Sequence, residues 1–222
     1  MTSTRVPVSD VVGIVLGAGS SRRLGQPKQL LPLGATTVLN HAVATACASS
    51  LARVIVVLGG SRADVSASLA PGRYQVVYND AYGTGCASSL LAGLDAAGPA
   101  APAIALLLGD MPGVTPALID TVLEKWTEVP NQWAAVTSYR DGLGHPFLFS
   151  ASAFPTLRGL HGDKAVWKIV DGASPDQVRR LPVDAALPSD IDTWDDYVTV
   201  CAAFGLPHPG PAPQGSPVGA RE

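Results

Sequence analysis

The residues of the early chain with the most chemical potential lie together in one loop. An apolar run ends in Gly17-Ala18-Gly19, and Arg22, Arg23 and Lys28 follow, the last wedged between Pro27 and Gln29. Lysine occurs only at Lys28, Lys125, Lys164 and Lys168, so Lys28 is the sole lysine of the first 124 residues. A glycine turn exposes backbone N–H groups that bind phosphate oxygens, and nearby Arg and Lys neutralise a polyanion. That much positive charge suits a triphosphate better than a single carboxylate. Leu16, Gly17, Ala18, Gly19, Ser20, Arg23 and Lys28 are therefore the candidate nucleotide-binding residues. A solvated strand-to-helix loop with incidental arginines is the competing reading.

Two familiar phosphate loops do not fit. The dinucleotide fingerprint G-x-G-x-x-G needs a third glycine for close helix–strand packing, but the sixth residue from Gly17 is Arg22. The acidic residue expected about 20 positions later is also missing, since that region reads Thr36-Thr37-Val38-Leu39-Asn40. The Walker A pattern fails because Pro27 precedes the lysine and Gln29 follows it.

Further along, "LLLGDMPGVTP" places Asp110 at the end of an apolar run. The next helix already has its cap in Thr115-Pro116, so Asp110 is not needed there. A lone carboxylate beside a triphosphate suits Mg²⁺, which takes one or two protein oxygens plus phosphate oxygens and water. "YNDAYGTGCASSL" is a glycine-bearing turn entering a helix, with Gly83 and Gly85 open to close backbone approach and Ser88 and Ser89 on the first turn. A helix that merely begins with small residues is the alternative. His145 stands just before a proline at the start of an apolar run, a setting more often structural than catalytic.

The elements that must position these residues follow from hydrophobic pattern. Four continuous apolar runs, 11–17, 53–59, 74–79 and 103–110, suit strands buried on both faces of a parallel sheet. Ala-rich segments with helical spacing separate them at 38–49, 64–69 and 87–97. This alternation predicts βαβ units and a three-layer α/β/α Rossmann-like fold. In such sheets ligands sit outside the carboxyl ends of the strands, where Gly17–Gly19, Gly59-Gly60, Asn79-Asp80 and Gly109-Asp110 fall. After Asp110 the pattern predicts a helix over 116–126 and two strands, 133–139 and 144–149. Those strands flank a turn at Asp141-Gly142 as an antiparallel element. Two more helices are expected over 164–170 and 195–203, the latter capped by Thr193.

The net charge is −3, so no basic field points to nucleic acid or an acidic membrane. Cys47, Cys86 and Cys201 are odd in number and widely spaced, which favours a reducing compartment over disulfides or zinc. No run approaches the length of a membrane span and the first residues lack an apolar signal core, so a cytoplasmic protein is expected. The 222 residues suit one domain over 1–204, with a Pro/Gly-rich tail over 205–222 expected to be disordered.

"LGAGSSRRLGQPKQLLPLG" resembles the signature loop of the molybdenum cofactor cytidylyltransferase-like nucleotidyltransferases, L-A-A-G-x-S-x-R-M-G-x-x-K-x-L-L, and the resemblance runs over roughly residues 11–204. It implies the nucleotidyltransferase fold and transfer of a nucleoside monophosphate, CMP from CTP in preference to GTP. The implied acceptor is a phosphate on molybdopterin, with pyrophosphate released. Molybdenum hydroxylases or their maturation factors are the implied partners. The resemblance gives Arg23 and Lys28 to the triphosphate and Asp110 to Mg²⁺. It assigns Asn79, Gly83 and Ser88 to base and ribose, and sets His145 and Asp163 on the substrate side. In the final "DID" run, Asp192 becomes a second candidate metal ligand. Asp195 and Asp196 read as helix-start chemistry.

Three positions depart from the family pattern. Gly17 stands in place of an alanine tied to base choice, Ala165-Val166-Trp167 replaces Gly-Ala-Arg after "GDK", and Trp194 replaces a proline. Another phosphorylated acceptor, such as phospholactate or a sugar phosphate, remains open. So does a non-catalytic nucleotide-binding regulatory domain. An NAD-binding oxidoreductase is disfavoured by the glycine count.

Overall fold

The computed structural model describes residues 6–21, 23–174 and 177–212. Among the described residues, nine strands and seven α-helices occur in the order β1 (Val11–Gly17), β2 (Pro32–Leu33), β3 (Thr36–Thr37), α1 (Val38–Ala48), β4 (Arg53–Leu58), α2 (Arg62–Ser68), β5 (Tyr74–Tyr78), α3 (Cys86–Ala97), β6 (Ala103–Leu108), α4 (Pro116–Thr127), β7 (Ala134–Ser138), β8 (Leu143–Ser150), α5 (Phe154–Arg158), α6 (Ala165–Gly172), β9 (Val178–Pro182) and α7 (Trp194–Ala203). The main sheet has seven strands in the order β5-β4-β1-β6-β8-β7-β9. Only β8 runs against its neighbours; β5, β4, β1 and β6 are mutually parallel, and β9 is parallel to β7.

Period-2 alternation feeds two cores from the same strands. Val11 and Val15 of β1 pack with Leu39 and Val43 of α1 and with Ile119, Val122, Leu123 and Trp126 of α4. Val12 and Ile14 face the opposite layer, where Leu90 and Leu94 of α3 meet Phe147, Phe149, Leu157 and Ile169. The three-layer α/β/α architecture with a mostly parallel sheet is therefore present as expected. Its helices start where local chemistry dictates: the hydroxyls of Thr37 and Thr115 accept from Asn40 N and Leu118 N. Thr193 and Asp196 form a reciprocal capping box for α7, so Asp196 belongs to a helix start.

Three elements escaped the pattern. The edge strand β9 carries Arg179-Arg180 and has no apolar run to announce it. The β2–β3 hairpin is two residues a side, and α5 is a five-residue helix. The hairpin matters for placement: Leu31, Leu33 and Val38 form a third cluster with Leu24, Ile191, Tyr197, Val200 and Cys201, which ties α7 to the glycine loop. Within the Pro/Gly-rich tail, Leu206 packs against this cluster and Trp194 Nε1 donates to the Gly210 carbonyl at 3.1 Å. Residues 213–222 of that tail lie outside the described residues. Among the described residues, no helix is long and apolar enough to cross a membrane.

Candidate active site

The carboxyl ends of β1 and β6, with the turn that follows β5, open on one cleft of about 490 Å³. It is lined by Leu16 to Ser21, Arg23, Lys28 and Gln29 on one side, by Leu108 to Asp110 and Asp192 at its base, and by Tyr82, Gly83, Gly85, Cys86, Ser89, Asp163 and Lys164 on the other.

The glycine loop is held by its own downstream residues. Gln29 is only 3% exposed, and its Nε2 donates to the carbonyls of Gly17 and Gly19, both at 2.8 Å. The Lys28 backbone N–H donates to Ser21 Oγ at 2.9 Å, and Ser21 adopts a left-handed φ of 52°. The loop is thereby folded back so that Lys28 points into the cleft. A Cβ added at Gly17 would meet Leu39 Cδ1 at 3.1 Å, so a side chain at that position would face the core.

Asp110 is delivered by the end of β6, where the Gly109 N–H donates to the Leu16 carbonyl at 2.9 Å. The Ile191 N–H donates to the Asp110 carbonyl at 3.0 Å, and Ile191 is fully buried, which sets Asp192 beside Asp110. Lys28 Nζ contacts Asp110 Oδ2 directly and lies 2.8 Å from Asp192 Oδ1; Arg23 contributes a 2.6 Å contact to Asp192 Oδ2. Burial alone would lower the Lys28 pKa, but the Asp110 charge and the bonds to both carboxylates outweigh it and hold the ammonium above its ordinary 10.5. Burial would likewise raise Asp192, yet Lys28 and Arg23 pull it below 3.8. Asp190 is pushed up, first by burial and then by the charges of Asp110 and Asp192.

The negative charge here is partly unanswered. Asp110 Oδ1 is buried without a hydrogen-bond partner. An orphaned carboxylate oxygen beside a second carboxylate fits a divalent cation. Among the described residues no three or more His, Cys, Asp or Glu side chains converge as a complete metal site. A cation held by Asp110 and Asp192 would thus share its remaining positions with ligand oxygens and water.

On the opposite wall the Asp163 carboxylate accepts from the Cys86 N–H at 3.0 Å, capping α3, and the Gly162 carbonyl accepts from Ala87 N at 3.2 Å. This close crossing requires Gly85: its φ is +115°, and a Cβ there would lie 2.5 Å from the Gly162 carbonyl carbon. Lys164, with a left-handed φ of 54°, enters the cleft from the same crossing.

The sequence candidates divide accordingly. Leu16, Gly17, Ala18, Gly19, Ser20, Arg23, Lys28, Gly83, Asp110, Asp163 and Asp192 share the cleft. Asn79, Ser88 and His145 do not line it. Asn79 is 6% exposed; its Nδ2 donates to Ser88 and Ser89 Oγ at 2.8 and 2.9 Å, and its Oδ1 accepts from Ala81 N at 2.9 Å. It holds the turn rather than facing a ligand. Ser88 is consumed in the same network, donating to the Ala81 or Gly85 carbonyl. His145 is buried within β8 with Nδ1 3.2 Å from the Leu106 carbonyl oxygen, and burial pushes its pKa down to about 4. Arg22 lies outside the described residues. Gln29, Ser21 and Tyr82 were not singled out by sequence; only the Pro27-Lys28-Gln29 spacing hinted at the first.

Comparison with known proteins completes the picture. Residues 13–179 match the model of the MobA-like NTP transferase domain. The chain is 32% identical over 203 residues to nicotine blue oxidoreductase of Paenarthrobacter nicotinovorans, covering 88% of this chain and 96% of that protein. Among solved structures, Rv0371c of Mycobacterium tuberculosis in complex with manganese is 39% identical with a TM-score of 0.76, covering 90% of this chain and 100% of that one. A nucleotidyl transferase from Methanothermobacter is 25% identical with a TM-score of 0.71, over 87% of this chain and 97% of that one. A cleft at the strand ends, lined by a clamped glycine loop with a lysine between two carboxylates, thus occurs in a chain that belongs to the MobA-like NTP transferase family, a family of nucleotidyltransferases.

Proposed function

We propose that this nucleotidyltransferase moves CMP from CTP to the phosphate of molybdopterin, with Mg²⁺ as its metal. The observation that carries the reading is the meeting of Lys28, Asp110 and Asp192 inside the cleft below the glycine loop. An acceptor phosphate oxygen attacks the α-phosphorus. The bond from that phosphorus to the β-phosphate oxygen breaks, and pyrophosphate leaves with the electron pair. The acceptor is already ionised near neutrality, since a phosphate monoester has a second pKa of about 6, so no general base is needed. Transition-state stabilisation then rests on alignment and charge.

The Leu16–Ser21 loop would receive phosphate oxygens on its backbone N–H groups, with Lys28 and Arg23 as the cations beside it. Asp110 and Asp192 would hold Mg²⁺, whose chemistry when bound is charge neutralisation on phosphate oxygens. Against burial, Asp110 and Asp192 push the Lys28 pKa up from the ordinary lysine value, which favours the ammonium form. CTP is preferred over GTP on the signature loop as a whole; the core-facing direction at Gly17 leaves base choice to other groups in the cleft.

The test is pyrophosphate release with the four ribonucleoside triphosphates crossed against molybdopterin, phospholactate and sugar phosphates. CTP with molybdopterin should give the highest kcat/KM. Activity confined to a sugar phosphate would overturn the acceptor, and Mg²⁺-dependent CTP binding without pyrophosphate release would favour a regulatory domain. Arg23→Ala and Lys28→Ala should each lower kcat about 10²–10³-fold with smaller effects on KM. Normal turnover in both would sink the transfer mechanism.

A second reading, oxidoreductase, is favoured by the name of the Paenarthrobacter relative, nicotine blue oxidoreductase. Against it stand Arg22 in the third-glycine position and the missing acidic residue after β1. NADH or NADPH oxidation by the purified chain would reverse the ranking.

A further inference from the structure

We infer that the ring of Tyr82 is the platform on which the nucleobase stacks, an assignment that rests on the nucleotidyltransferase reading above. Tyr82 is the one aromatic side chain lining the cleft among the described residues. The residue is 39% exposed.

The far side of the ring has a bed built for it. A Cβ on Gly59 would fall 2.6 Å from Tyr82 Cβ and 2.9 Å from Ala18 Cβ; a Cβ on Gly60 would fall 3.1 Å from Tyr82 Cε2. The chain leaving β4 therefore has to be bare for the ring to lie beside Ala18 of the glycine loop. Asn79 fixes the turn that carries it, as its Oδ1 accepts from Ala81 N at 2.9 Å while its Nδ2 ties down Ser88 and Ser89. Asn79 and Ser88 are thus spent inside the protein, and Tyr82 is the side chain of this turn left with a face toward the cleft.

Arg23 and Lys28 mark the phosphate end of the cleft, and Tyr82 lines the same cleft beside Ala18 of the glycine loop. A nucleoside triphosphate laid along the loop would bring its base to the ring. Stacking tolerates every base because each has a π face. Tyr82 accordingly supplies affinity common to all four nucleotides and leaves base choice to polar groups of the cleft.

Calorimetric titration of the full chain in Mg²⁺ with CTP, UTP, ATP, GTP and inorganic tripolyphosphate separates the base from the phosphates. Tyr82→Ala should weaken all four nucleotides roughly tenfold or more while tripolyphosphate changes by less than about twofold. Tyr82→Phe should retain both affinities, and Gly60→Ala, which crowds the ring, should reproduce the selective loss. Unchanged nucleotide affinity in Tyr82→Ala, or an equal loss of tripolyphosphate, overturns the platform alone. A parent chain that binds neither nucleotide nor tripolyphosphate overturns the nucleotidyltransferase reading on which the platform rests.

Discussion

His145 shows how burial sets a residue's role. Its ring lies edge-on to Phe147 with centroids 4.5 Å apart, and it is 7% exposed. Burial favours the neutral imidazole and pushes the pKa down to about 4 from 6.5, with the bond to the Leu106 carbonyl opposing only in part. Above pH 6.5 both folded and unfolded states are neutral and the contribution is complete. As pH falls from 6.5 toward 4 the unfolded state takes up the proton first, so about 3 kcal/mol of stability is lost across that window. Denaturant unfolding of the parent should show this slope between about pH 6.5 and 5, and His145→Gln should flatten it. A parental slope that survives the substitution would remove His145 as its cause. A histidine followed by proline read as structural on its own merits; the family resemblance moved it toward the substrate, and burial returns it to the core.

Between residue and molecule stands the glycine loop, whose shape depends on one amide. Gln29 Nε2 satisfies two carbonyls in a buried position, which fixes the loop and aims Lys28. Gln29→Ala should cost about 1–3 kcal/mol by leaving those carbonyls without a donor. Gln29→Glu should cost more, because a carboxylate would face two carbonyl oxygens. Both variants should also lower kcat, since Lys28 immediately precedes the Gln29 anchor in the chain. Thermal unfolding together with pyrophosphate release checks the order parent, Ala, Glu; a stable and fully active Glu variant would show that the loop holds itself.

At the scale of the whole molecule, the site exists because distant segments close on it. Lys28 meets Asp192 across 164 residues of sequence, and the third core cluster beneath them joins the β2–β3 hairpin to α7. The tail from Gly205 contributes: Leu206 packs on this cluster, its N–H donates to the Cys201 carbonyl at 2.9 Å, and Trp194 reaches Gly210. Truncation after Phe204 should cost about 2 kcal/mol from lost apolar burial and hydrogen bonds. For a chain of this size that corresponds to a Tm lower by about 4–8 °C. Nucleotide affinity should fall as Asp192 loses its support. An unchanged Tm would show that this segment lies on the domain without stabilising it.

What the chain's own order of residues determined was everything carried by short-range pattern. Continuous apolar runs marked β1, β4, β5 and β6, threonine caps marked where α4 and α7 begin, and the stretch from Gly17 to Lys28 stood out as glycines followed by basic residues. The early carboxylate Asp110 was legible for the same reason, as a polar residue stranded at a strand end. Only the tertiary structure decided the rest. It placed β9 at an edge that no apolar run predicted, turned Asn79, Ser88 and His145 inward, and set Asp192 against Lys28. Periodicity and capping act over a few residues and can be read along the chain. Burial and ion pairing act between segments far apart, and they become fixed only when the layers pack.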